Sequence, residues 1–133
     1  MNTKSRPLPV RNWLDVGIAI AGINIVRQPQ PEYHLGFRLC LMNRGQHSIR
    51  LVGRKWTLRE QSGNTRIVEA SNVFNQQPIL TPGAVFSYGG CQAFATPPTE
   101  AEICFFGTDS QNRPFITPPF AFPRRAFSIP WKT

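Results

Sequence analysis

The stretch Ser48-Ile49-Arg50-Leu51-Val52-Gly53-Arg54-Lys55-Trp56-Thr57-Leu58-Arg59-Glu60 decides the fold class. Ile49 and Leu51 share odd positions, whereas Trp56 and Leu58 share even ones. A two-residue period is that of a β-strand with one buried side. The phase flips near Val52-Gly53-Arg54, where a glycine can host a bulge that admits one extra residue. Ser62-Gly63-Asn64 then supplies hairpin chemistry, and Thr65 to Glu69 reads as the returning strand.

The same period recurs on both sides of this stretch. Val16, Ile18 and Ile20 alternate with Gly17, Ala19 and Ala21, and after Gly22 the pattern resumes shifted, as Ile23 and Ile25. A shift across a glycine again predicts a bulge. Gln28-Pro29-Gln30-Pro31 makes a turn. The strand Leu35 to Met42 puts Phe37, Leu39 and Leu41 on one face and Arg38 and Cys40 on the other, and Asn43-Arg44-Gly45 closes it. Ala70 to Gln77 has no period and reads as a loop. Beyond the Thr81-Pro82-Gly83 turn, strands are expected around Ala84, Phe86 and Tyr88, around Ala101, Ile103 and Phe105, and from Pro114 to Phe122. About seven short strands with turns between them and no amphipathic helix predict an all-β fold, a sandwich of antiparallel strands. Trp56, Leu58, Phe86 and Tyr88 are expected inside it. The boundaries are read as a flexible N-terminal arm over 1–12, the sandwich domain over 13–123 and a basic C-terminal tail over 124–133.

Composition agrees. At 133 residues, 41% hydrophobic and 11% aromatic, the chain fits one domain with a core that closes without disulfides. Charged residues are 17%, and the chain holds 13 prolines and 10 glycines, which excludes a helical bundle or coiled coil. Cys40, Cys91 and Cys104 form no C-x-x-C pair, so they give neither a disulfide framework nor a zinc signature and suit a reducing compartment. Cys40 and Cys104 lie in apolar runs and are read as core residues. Trp13 to Val26 is apolar, but Asp15 and Asn24 interrupt it and no cleavage site follows. It is also too short to span a bilayer. A cytoplasmic protein with no membrane partner is expected.

Catalytic patterns are missing. Glu100 and Glu102 are neighbours at i, i+2 on a strand, which reads as a solvated face rather than an acid/base pair with separated environments. His34 and His47 stand in or beside turns with no accompanying metal-ligand spacing. Neither a G-x-S-x-G elbow nor a phosphate-binding G-x-x-x-x-G-K-[ST] loop occurs. The expectation is a non-enzyme with no cofactor and no metal.

The charge balance, 15 basic against 7 acidic residues, gives +8 at pH 7. Such a field favours acidic proteins, small anions or nucleic acid. If the bulge at Gly53 turns the strand, Arg50, Arg54, Lys55 and Arg59 fall on one outward face, with Arg44 and Arg66 near its ends. The arginine fork suits carboxylate and phosphate. An acidic protein partner is the favoured reading, with a small anion (phosphate or pyrophosphate) or nucleic acid as the alternative. The phenylalanines from Phe105 onward are read mainly as core, not as a stacking platform. The oligomeric state is not readable.

The run Arg54-Lys55-Trp56, Gly63, Gln77-Pro78-Ile79-Leu80-Thr81-Pro82-Gly83, Phe86-Ser87-Tyr88 and Gly90-Cys91 resembles the central signature of the ApaG family. Asn43-Arg44-Gly45 matches that family's asparagine-x-glycine turn, and Thr117-Pro118-Pro119-Phe120-Ala121-Phe122 echoes its closing strand. The resemblance spans roughly residues 18–122. It implies a fibronectin type III/immunoglobulin-like β-sandwich. It also implies roles in protein interaction, as in related domains of larger proteins, or an indirect part in cobalt and magnesium tolerance. Counting back from Gln77-Pro78, the family's loop glycines fall on Ala70, Asn72 and Asn75, and its histidine before the tryptophan is Lys55. A phosphate-cradling loop is therefore not expected.

Overall fold

Alternating apolar positions build two antiparallel sheets that press their greasy sides together. The structure is a computed structural model and describes residues 7–27 and 29–128. In chain order the strands are β1 (Leu14–Val26), β2 (Glu32–Asn43), β3 (Ile49–Glu60), β4 (Thr65–Ala70), β5 (Ile79–Leu80), β6 (Val85–Phe94), β7 (Pro98–Thr108), β8 (Pro114–Ile116) and β9 (Phe120–Ala121). One sheet has the order β1-β2-β6. The other, six-stranded, runs β4-β3-β7-β8, with β5 added to β3 and β9 to β7. Among the described residues no helix is long and apolar enough to cross a membrane.

Both expected bulges are present. In β1 the pairing jumps from Ile20 opposite Phe37 to Gly22 opposite Gly36, and Ala21 is the extra residue. In β3 it jumps from Leu51 opposite Gly107 to Gly53 opposite Phe106, leaving Val52 extra. Glycine is required at 53 because a Cβ there would stand 2.7 Å from the carbonyl oxygen of Ala70. Backbone cannot give way as a side-chain tip can.

The core sits where β2 faces β3 and β7. Leu35, Leu51, Leu58, Ile103 and Phe105 are fully buried. Phe37, Trp56 and Phe122 form a triangle with ring centroids 5.0, 5.5 and 5.7 Å apart, which ties the sheets through aromatic contact. Trp56, Leu58 and Tyr88 are buried as expected, and Phe86 is partly buried against the same core. Asn43 is buried, and its amide donates to the carbonyls of His47 and Leu80, both at 2.8 Å, while its Oδ1 accepts from the Gly45 N–H at 2.8 Å. One side chain thus ties the β2–β3 turn to β5.

Several expectations are corrected. Cys40 is exposed and Cys104 half-buried, because each falls in an outward row: Cys40 lies between Gly17 and Ser87, and Cys104 beside Lys55. Of the expected arm, Pro9 to Arg11 is fixed along β8. Ile116 N–H donates to Pro9 and Arg11 N–H donates to Ile116, both at 2.9 Å. Residues 1–6 lie outside the described residues. The expected strand from Pro114 to Phe122 is split, since Pro118 and Pro119 carry no N–H for a ladder. Buried Thr117 bridges the gap through Oγ1, which accepts from the Phe105 N–H at 2.9 Å. The tail begins with a helical turn, α1 (Arg125–Ser128), that buries Ala126 and leans Phe127 on the core. Residues 129–133, with Trp131, lie outside the described residues.

Candidate functional site

The bulge decides which cations share a face. The jump falls between Leu51 and Gly53, one step before Arg54, so Arg54 pairs with buried Phe105 on the inner side. Arg50, Lys55 and Arg59 lie on the outer side, opposite Thr108, Cys104 and Glu100 respectively. The expected group of four is therefore three outside and one inside. Only the position of the extra residue separates the two arrangements.

Pairing with β4 and β7 also brings carboxylates to the outer face. Glu69 lies opposite Lys55, and Glu102 opposite Thr57. Arg59 Nη1 donates to Glu100 Oε1 at 2.6 Å, with both side chains about half exposed. Two isoleucines complete the face. Ile67, 57% exposed, lies opposite Thr57, and Ile79, 58% exposed, lies opposite Arg50. Burial pushes the Cys104 thiol up, with Lys55 opposing and Glu102 and Glu69 adding to the shift. This thiol therefore stays protonated near neutral pH and is a poor nucleophile. At one end the face opens into a groove of about 750 Å³, lined by Arg59, Glu100, Glu102, Phe122, Arg124 and Phe127.

Arg54 does different work. Its Nη1 donates to the backbone oxygen of Asn72 at 2.8 Å and to Asn72 Oδ1 at 3.0 Å. The same Oδ1 accepts from the Asn75 N–H at 3.1 Å. Val73 and Gln76 exchange backbone bonds at 2.7 and 3.2 Å. The loop that follows β4 is thus a closed turn whose Val73, Asn75 and Gln76 N–H groups are engaged internally. Ala70 ends β4 opposite Arg54 and needs no glycine conformation, whereas Asn75 has φ 62° and Phe74 φ 51°. Asparagine tolerates that region; phenylalanine does so rarely. Phe74 is half exposed and stacks on Tyr88 with centroids 5.6 Å apart. Burial pushes the Tyr88 hydroxyl up to about 12, with Arg54 opposing. Among the described residues that hydroxyl has no hydrogen-bond partner.

Arg66 also lies inward, opposite Leu58. It donates to the Ala93 carbonyl at 2.6 Å and lies over the Phe94 ring, which joins the two sheets at their edge. Arg44 pairs with Asp15 at 2.9 Å. Among the described residues, no three His, Cys, Asp or Glu side chains gather to hold a metal ion. The acidic lining of the face and the loop-holding role of Arg54 escaped the sequence reading. The first depends on strand pairing across long separations. The second had a signal, an arginine directly after the bulge glycine.

This architecture has known counterparts. Residues 26–102 match the ApaG domain. The chain belongs to the ApaG family. Curated relatives named Protein ApaG include that of Proteus mirabilis, 29% identical over 103 residues (75% of this chain and 82% of the relative), and that of Acidovorax sp., 30% identical over 97 residues (72% and 70%). Among solved structures, the structural-genomics target SoR45 superposes with a TM-score of 0.73 at 18% identity, covering 83% of this chain and 86% of the target. The ApaA protein of Bordetella pertussis gives 0.67 at 22% identity, covering 86% and 94%. The fold these structures share with the chain is an all-β sandwich of antiparallel strands.

Proposed function

We propose that this ApaG domain is a non-enzymatic binding module that docks another protein, acidic overall, on the outer face of its six-stranded sheet. One observation carries the reading: exposed Ile67 and Ile79 are interleaved there with Arg50, Lys55 and Arg59. Apolar anchors among arginines are what protein interfaces use, and the net charge of +8 draws an acidic partner from a distance. Glu69, Glu100 and Glu102 on the same face oppose a polyanion, which argues against nucleic acid as the ligand. The loop from Ala70 to Gln76 supports no phosphate site, since three of its N–H groups already have partners within the loop. An indirect part in cobalt or magnesium tolerance rests on family association alone.

Capture from native lysate followed by hydrogen-exchange mapping of the isolated complex tests the proposal. Protection should fall on β3, β4 and β7, and Arg50→Glu with Lys55→Glu should lower capture at least tenfold (about 1.4 kcal/mol). Arg38→Glu, on the opposite sheet, should leave capture unchanged. Equal losses from both variants would mean that diffuse charge binds, and the face would be wrong.

A further inference from the structure

A second site lies at the far end of the sandwich, where the segment Pro9 to Trp13 runs along β8. A cleft of about 320 Å³ opens there, lined by Arg11, Arg113 and Asp109, by the Trp13 and Phe115 rings, and by Pro9 and Pro114. That volume is at the small end of small-molecule sites. The Trp13 and Phe115 rings meet edge-on, with centroids 5.0 Å apart.

The cations are presented, not merely nearby. Asp109 closes the β7–β8 turn by accepting the N–H groups of Gln111 and Arg113 on Oδ1, both at 2.9 Å. Its Oδ2 accepts from Arg113 Nε, also at 2.9 Å. These bonds hold the carboxyl below its usual range, the backbone N–H of Arg113 contributing most. Asp109 therefore remains ionised and engaged, and of the Arg113 guanidinium it holds Nε alone. Among the described residues the two terminal nitrogens of Arg113 have no partner, and its side chain is 70% exposed. The Arg11 guanidinium, also in the lining, lies 5.7 Å from the Trp13 ring centroid, and among the described residues its one hydrogen bond is a 3.2 Å contact to the neighbouring Val10 carbonyl. Two arginines against one carboxylate leave the cleft with net positive charge.

We infer that this cleft binds a small organic oxyanion, a carboxylate or phosphate on an apolar or aromatic body. The oxyanion would take the Arg11 and Arg113 forks, with the body against the Trp13 and Phe115 rings. Two arginines in one lining suit a planar or tetrahedral anion, and the aromatic rings favour ligands that carry more than bare charge. The cleft adjoins the Arg50 end of the outer face proposed above, since Arg50 lies opposite Thr108 and Thr108 opposite Pro114, but it shares none of that face's residues.

The test is amide and indole NMR on the intact chain, titrated with benzoate, with phenyl phosphate and with benzyl alcohol as the neutral analogue. The Trp13 indole and the Gln111 to Arg113 amides should shift saturably with at least one anion. Arg113→Gln and Arg11→Gln should each weaken that binding about tenfold, while Arg124→Glu, in the groove at the other end of the sheet, leaves it unchanged. Which anion binds more tightly separates a carboxylate from a phosphate ligand. Equal shifts with benzyl alcohol, unsaturable shifts over the whole basic surface, or binding that survives both glutamine substitutions in folded protein would overturn the assignment.

Discussion

Arg54 and Arg59 leave the same strand on opposite sides, and the two regions they serve could hardly differ more. Arg54 turns inward and holds the loop from Ala70 to Gln76 by two bonds to Asn72. Arg59 turns outward and meets Glu100 in water. A partly buried guanidinium that satisfies a carbonyl is costly to lose, because the carbonyl is left without its donor. An exposed ion pair is worth little, about 0–1 kcal/mol. The residue type is the same; the side of the sheet sets its role.

Substitutions within the sandwich put that contrast at risk. If inward position governs cost, Trp56→Ala should be the worst change in β3, about 3–5 kcal/mol by chemical denaturation. Its indole joins the Phe37 and Phe122 rings, one from each side of the core. An unchanged midpoint would refute the aromatic triangle as the junction of the sheets.

Alkaline titration probes the inner region beside Arg54. The Tyr88 hydroxyl is pushed up from 10.0 to about 12, so the unfolded chain loses this proton first. Stability should be complete below pH 10 and fall as pH rises from 10 toward 12, by about 2–3 kcal/mol. In Tyr88→Phe this fall should shrink, and near neutral pH the variant should be no less stable, since the lost hydroxyl has no partner among the described residues. A steeper alkaline loss in Tyr88→Phe than in the parent chain would contradict the burial.

The smallest effects compare the two arginines directly. Arg54→Gln should cost about 1–3 kcal/mol and speed hydrogen exchange at Val73 and Gln76. Arg59→Gln should cost less than about 1 kcal/mol and leave those amides alone. Reversed costs would mean that the outer ion pair, not the inner anchor, stabilises this sheet.

Much of this was legible from residue order. Alternation at Val16 to Ile20 and its shift at Ile23 located both β1 and its bulge, because period and glycine act locally. The flip in β3 was legible too, but not its position to within one residue, and that residue carried Arg54 across the sheet. Glu69 and Glu100 joined the cationic face through pairing with β4 and β7, which no local pattern encodes. The two Asp109-held bonds that orient Arg113 were equally hidden, since a turn aspartate reads the same whether or not it grips a side chain.

The extra residue at Val52 therefore acts as a parity bit for the strand. Removing it would restore one unbroken count from Ile49 onward. Gly53 would then follow Leu51 directly and every side chain from Gly53 to Glu60 would keep its present side, whereas holding Val52 in a regular, unbulged strand would send each of them across the sheet or force the hairpin with β4 to slide. Alignments that place a gap one position off at this point would exchange Arg54 for Lys55, and with them an anchor for a contact surface.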